Sequence, residues 1–139
     1  MVLAATEAEL RQRLAEAAFS NMYGFRLHSF ADGECALDVP FQPAFERPGG
    51  IVSGPVFMAA ADVAMWLAIM TRLGKDDRSV TAEMKTSFLN AARHEDFRCT
   101  AKILKLGKRL VYGVAECVNA QGKLLTHHTM TYIRPNPSG

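Results

Sequence analysis

The chain has 139 residues, the size of one ordinary domain. Hydrophobic residues make up 49% and charged residues 22%, which is enough apolar side chain for a core, while a formal net charge of +2 gives no basis for a nucleic-acid or acidic-membrane partner. Cys35, Cys99 and Cys117 form no CxxC pair, which argues against a disulfide framework or zinc site and for a reduced, cytoplasmic setting.

The N-terminal stretch carries acidic residues early and lacks a long apolar run, so it does not read as a secretory signal. Thr6 with Glu9 forms a capping box, and Leu10, Leu14, Ala17 and Ala18 recur at helical spacing. The pattern predicts a helix over 6–19. It divides the chain into an N-terminal helix, 1–20, and a single domain, 21–139. Residues 25–39 alternate like two strands around a turn at Ala31-Asp32-Gly33-Glu34. Residues 40–54 hold three prolines and three glycines and read as an irregular loop. A long apolar helix then runs from Pro55 to Leu73 and stops at Gly74. Its most apolar part, 55–70, is 16 residues long and contains Asp62, short of the roughly 20 needed to span a bilayer.

From Val80 the period changes from helical to alternating. Val80, Ala82, Met84, Thr86 and Phe88 are expected on one buried face, which puts Thr81 on the other. Further strands are expected over 96–106, 109–119 and 123–134, with hairpin turns at Gly107-Lys108 and Gln121-Gly122. This order excludes alternating βαβ units. It predicts an α+β fold in which a curved antiparallel sheet wraps the apolar helix, helped by a second chain.

Asp62 is the one acid in that helix, between Met58 and Ala59 on one side and Met65 and Trp66 on the other. An unpaired buried carboxylate costs several kcal/mol, so it either turns outward, meets a hydroxyl or arginine from elsewhere, or does chemistry. Upstream, Gly49-Gly50 and Ser53-Gly54-Pro55 form an entry whose backbone N–H groups suit an anion or a developing oxyanion. A tight turn is the alternative use of the same glycines.

Together, Arg47-Pro48-Gly49-Gly50-Ile51-Val52-Ser53-Gly54-Pro55 and Asp62 resemble the signature of PaaI-like hotdog-fold acyl-CoA thioesterases. That signature is roughly Asn-Pro-x-Gly-x-x-His-Gly-Gly, followed by a catalytic Asp eight residues beyond the first glycine of the closing pair. Ser87-Phe88-Leu89-Asn90-Ala91-Ala92, Leu106-Gly107-Lys108-Arg109 and Asn119-Ala120-Gln121-Gly122-Lys123-Leu124 are similar to later family segments. The resemblance covers residues 20–134. Arg47 stands in place of Asn, Ser53 of His, and Pro55 of the second Gly.

The resemblance implies a hotdog fold and hydrolysis of acyl-CoA, with coenzyme A entering as part of the substrate and no separate cofactor or metal. It implies that Asp62 acts as base or nucleophile, that the Gly54 N–H is the oxyanion donor, and that the Thr81 hydroxyl assists the water. Arg47, Ser53 and Pro55 fall at substrate-positioning sites, and Lys105, Lys108 and Arg109 are expected to meet coenzyme A phosphates. A non-catalytic acyl-CoA-binding protein and an acyl-thioester hydratase or dehydratase are the alternatives. The last needs a histidine near the Gly-rich loop, and none of the four lies there in sequence. His127 and His128 are adjacent on a strand, point to opposite faces and cannot act as a pair.

One distance constrains the assembly. Eight helical residues rise about 12 Å, yet base and oxyanion donor must each lie about 3 Å from one carbonyl. Asp62 and Gly54 of one helix therefore cannot share a substrate, and the expectation is a homodimer with interfacial sites, with dimers able to pair as tetramers.

Overall fold

The computed structural model describes residues 2–135. Two short helices, α1 (Glu7–Glu16) and α2 (Ala18–Tyr23), precede the hairpin of β1 (Arg26–Ala31) and β2 (Glu34–Val39). A single 3-10 turn, Pro43–Phe45, leads into a miniature hairpin of β3 (Glu46–Arg47) and β4 (Ile51–Val52). The long helix α3 (Gly54–Leu73) follows, then β5 (Val80–Phe88), β6 (Phe97–Leu106), β7 (Leu110–Asn119) and β8 (Leu124–Ile133).

Six strands form one curved antiparallel sheet in the order β1-β2-β6-β7-β8-β5. α3 packs chiefly on β2, β6 and β7, and the architecture is the expected hotdog arrangement. Met65, Leu67, Ile69 and Met70 of α3 are at most 1% exposed. Burying a side chain of this size contributes about 1.5–3 kcal/mol, so the helix is held by its surroundings rather than by its own propensity. At Gly113 of β7 the sheet leaves no room for a side chain beneath α3. A Cβ there would collide with Met65 and lie 2.6 Å from the Lys102 carbonyl oxygen.

Three expectations change. The predicted helix over 6–19 breaks at Ala17, whose backbone is extended (φ −77°, ψ 105°). The break turns α2 so that Tyr23 stacks on Phe25 and leans on Phe45. The loop 40–54 is partly ordered as the β3–β4 hairpin, joined to the rest by the Val52 N–H donating to the Ala92 carbonyl. The length argument against a membrane span also fails, because α3 has 20 residues and is apolar enough to cross. What distinguishes it from a span is its wrapping by the sheet, with 13 of its 20 residues buried.

Candidate active site

α3 is not buried all round. Pro55, Met58, Asp62 and Trp66, spaced three to four residues apart, form one incompletely covered stripe. Asp62 is the half-buried polar point on it. The carboxylate meets two hydroxyls. Thr81 Oγ1 donates to Oδ1 at 2.6 Å. The Tyr132 hydroxyl lies against the same Oδ1 and, at 2.7 Å, against the main-chain oxygen of Asp62. Among the described residues, no lysine, arginine or histidine pairs with Asp62. Tyr132 is 2% exposed. Burial, and then the negative charge of Asp62, push its phenol well above the ordinary tyrosine range, so it stays a neutral donor.

Thr81 reaches Asp62 through a backbone irregularity. Thr81 pairs with Tyr132 but Glu83 pairs with Thr131, so a bulge falls between them. On β8, Thr126, His128, Met130 and Tyr132 are the buried face. Their partners Phe88, Thr86, Met84 and Thr81 therefore lie on the same side of the sheet, although at this edge none of the four is fully covered. The simple alternation had put Thr81 opposite that face; the extra residue at the bulge moves it across. Val80, expected inside, is 61% exposed.

Two clefts meet at Asp62. One, about 330 Å³, is walled by Phe19, Val63, Trp66, Val80 and Tyr132 with Thr81 at its edge. The other, about 490 Å³, runs along the open stripe past Pro55, Met58 and Ala59, with Phe19, Tyr23 and Met84 as walls. Both are largely apolar, as an acyl or alkyl group requires.

Gly54 opens α3, and no acceptor faces its N–H among the described residues. Ser53 sits at the cap position without a side-chain hydrogen bond, its own N–H donating to the Phe45 carbonyl. The Phe88 ring lies over Gly54, 3.1 Å from where a Cβ would be. Exposed Arg47 stands in the β3–β4 hairpin, opposite Ile51. Arg93 Nη1 donates to the Gly49 carbonyl at 3.1 Å, holding this loop.

His94 also lies beside the loop. Its Nε2 is 3.0 Å from Glu46 Oε1 and close to Gly50. The sequence placed no histidine there, and folding brings one from forty-odd residues away. It adopts φ 46°, the one positive φ among the described non-glycine residues.

Lys105, Lys108 and Arg109 are exposed around the β6–β7 turn. The ladder Leu110–Ile133–Val80 carries that turn to the Thr81 end of β5. Within one chain the predicted residues thus split into two groups: Arg47, Ser53, Gly54 and Pro55 at the Phe88 end of β5, and Asp62, Thr81 and the basic turn at its Val80 end. Tyr132 was missed altogether, since no local pattern ties it to a residue seventy positions earlier.

His128 is fully buried, its Nδ1 2.8 Å from Thr86 Oγ1 and its Nε2 2.8 Å from Thr126 Oγ1, while His127 points the other way to Glu116. Among the described residues no group of three or more His, Cys, Asp or Glu is placed to hold a metal ion.

A family profile described as the thioesterase superfamily matches residues 49–126, which include the end of the Gly-rich loop from Gly49 on, all of α3 and Thr81, and leave out Arg47 and Tyr132. A Saccharolobus solfataricus protein named "Putative esterase" is 32% identical over 92 residues, 66% of this chain and 65% of that protein. The match thus spans just under two thirds of that relative's length. A solved "putative thioesterase" from Silicibacter sp. TM1040 superposes with a TM-score of 0.86 at 29% identity, covering 96% of this chain and 94% of that one. A hypothetical thioesterase from Streptococcus pneumoniae, solved with coenzyme A, shares the fold at a TM-score of 0.78 and 13% identity, covering 94% and 98% of the two chains.

Proposed function

The chain belongs to the thioesterase superfamily, and from that premise we propose that it hydrolyses acyl-CoA thioesters in the manner of the PaaI-like members, at sites built from two chains. The observation that carries this reading is Asp62: a carboxylate without a cationic partner among the described residues, set by two hydroxyls on one oxygen, where two apolar clefts meet.

A water held at the free Oδ2 gives that oxygen its proton as its own oxygen bonds to the thioester carbon. The carbonyl oxygen becomes an oxyanion, which the Gly54 N–H at the positive end of a partner's α3 stabilises. When the carbonyl re-forms, the C–S bond breaks and the leaving sulfur takes the proton back from Asp62. Water and thioester become acid and thiol, and Asp62 is regenerated.

The edge of the sheet supports the two-chain arrangement. β5 is nine residues long, ends the sheet, and presents unpaired backbone on one side. Antiparallel pairing of two β5 strands about Met84 sets the Phe88 end of one chain against the Val80 end of the other. Gly54, beneath Phe88, then approaches the partner's Asp62. That pairing covers the exposed apolar groups Met58 (38%) and Phe88 (57%). It also brings Arg47 of one chain towards the basic turn of the other, where coenzyme A phosphates are expected to be held. The coenzyme A named for the Streptococcus pneumoniae neighbour favours the same carrier.

The test is thiol release from a panel of aromatic, short and medium acyl-CoAs. Turnover of at least one class is expected. Binding without turnover would leave a carrier protein, and hydration of crotonyl-CoA would favour the alternative chemistry, with His94 its nearest histidine.

A further inference from the structure

Asp62 has two carboxylate oxygens, and the protein treats them differently. Oδ1 accepts the Thr81 hydroxyl at 2.6 Å and also touches the Tyr132 hydroxyl, whereas no donor among the described residues reaches Oδ2. We propose that Tyr132 is a positioning residue which, with Thr81, occupies Oδ1 and so makes Oδ2 the oxygen that exchanges protons with water and leaving group. This rests on the reading of Asp62 as the base.

The geometry gives Tyr132 more than packing to do. It stands between Thr81 and Val111 in the sheet, so its ring is fixed by neighbours on both sides. Its hydroxyl meets the side chain and the main-chain oxygen of the same residue, which ties the carboxylate to its own helix turn. An aspartate has two side-chain torsions, and hydroxyl contacts at Oδ1 from two directions restrain both. The phenol has one proton and two acceptors in reach. While Asp62 is ionised, that proton belongs with Oδ1, the stronger acceptor. When Oδ2 takes the water's proton, Oδ1 loses charge, and the phenol proton can turn to the main-chain oxygen 2.7 Å away. Hydrogen bonds to an ionised carboxylate favour that form, and removing the phenol takes one of them away.

The experiment compares wild type, Tyr132→Phe and a chain carrying 3,5-difluorotyrosine at 132, which keeps the shape and donates a stronger hydrogen bond. Measured are kcat, KM, the acidic limb of kcat/KM, and the titration of the Asp62 13Cγ signal, assigned through Asp62→Asn. For Tyr132→Phe, kcat should fall about tenfold with KM within about twofold, the size expected for one hydrogen bond to a charge, and limb and carbon titration should both move up. Difluorotyrosine should move both down. A Tyr132→Phe protein with an unmoved limb and titration overturns the proposal, whatever its thermal stability. Should Tyr132→Phe fail to fold, an unmoved titration in the fluorinated chain does the same. Absent thiol release with a shifted titration would refute the proposed function while leaving the positioning role standing.

Discussion

Replacing Asp62 by Asn changes the charge and little else. The amide oxygen still accepts from Thr81 and Tyr132, both of which contact a single oxygen of the side chain. No cation loses a partner, because none pairs with Asp62 among the described residues. Fold and assembly should therefore persist, with a melting temperature close to that of wild type. The amide cannot take a proton from water. A positioned general base contributes about 10² to 10⁴ in rate, which is about 3–5 kcal/mol of barrier. Thiol release from the preferred acyl-CoA should thus fall at least about a hundredfold. The assay follows free thiol in steady state, with light scattering to check assembly. A variant that stays assembled and works within about tenfold of wild type would remove Asp62 from the mechanism.

Other consequences concern stability. Tyr132 is held protonated by burial and by the charge of Asp62. An unfolded tyrosine ionises near pH 10, so above that pH the folded chain binds more protons than the unfolded one. Stability should fall as pH rises beyond about 10, by up to about 1.4 kcal/mol per pH unit from this group. Urea unfolding at pH 9 to 11 should show that contribution missing in Tyr132→Phe; parallel curves would contradict it. Gly113→Ala should cost about 1–3 kcal/mol, because the new methyl meets the Lys102 carbonyl oxygen at 2.6 Å and backbone cannot step aside. An unchanged melting temperature would show that the packing around Gly113 yields to the added methyl.

Much of this fold was legible because its elements carry strong local signals. The apolar run closed by Gly74 located α3 to within one residue at its start, and alternation bounded by Gly-containing turns located β6, β7 and β8. The break at Ala17 was invisible, since neither glycine nor proline marks it; what bends the chain is the packing of Tyr23 against Phe25 and Phe45. The face of Thr81 was misjudged for a related reason. A bulge is a property of the pair β5 and β8, and alternation within β5 alone does not reveal it.

The site divides in the same way. Asp62 stood out because a lone acid in an apolar helix is costly unless something answers it. The residues that answer it, Thr81 and Tyr132, come from strands β5 and β8. His94 reaches the Gly-rich loop by the same long-range folding, through its contact with Glu46. Sequence thus exposed the group that needed an explanation and left the groups supplying it to tertiary structure.

Mixing two defective chains tests the shared site most directly. Asp62→Asn removes the base, and Gly54→Pro removes the N–H at the first helical position, where proline suits the backbone although its Cβ presses on the Phe88 ring. Each variant alone should be nearly inactive. After unfolding and refolding together in equal amounts, about half the dimers should be hybrids, each with one intact site of two, giving about a quarter of the wild-type rate. A mixture that assembles yet releases thiol no faster than its parents would contradict a site built from the acid of one chain and the amide of the other.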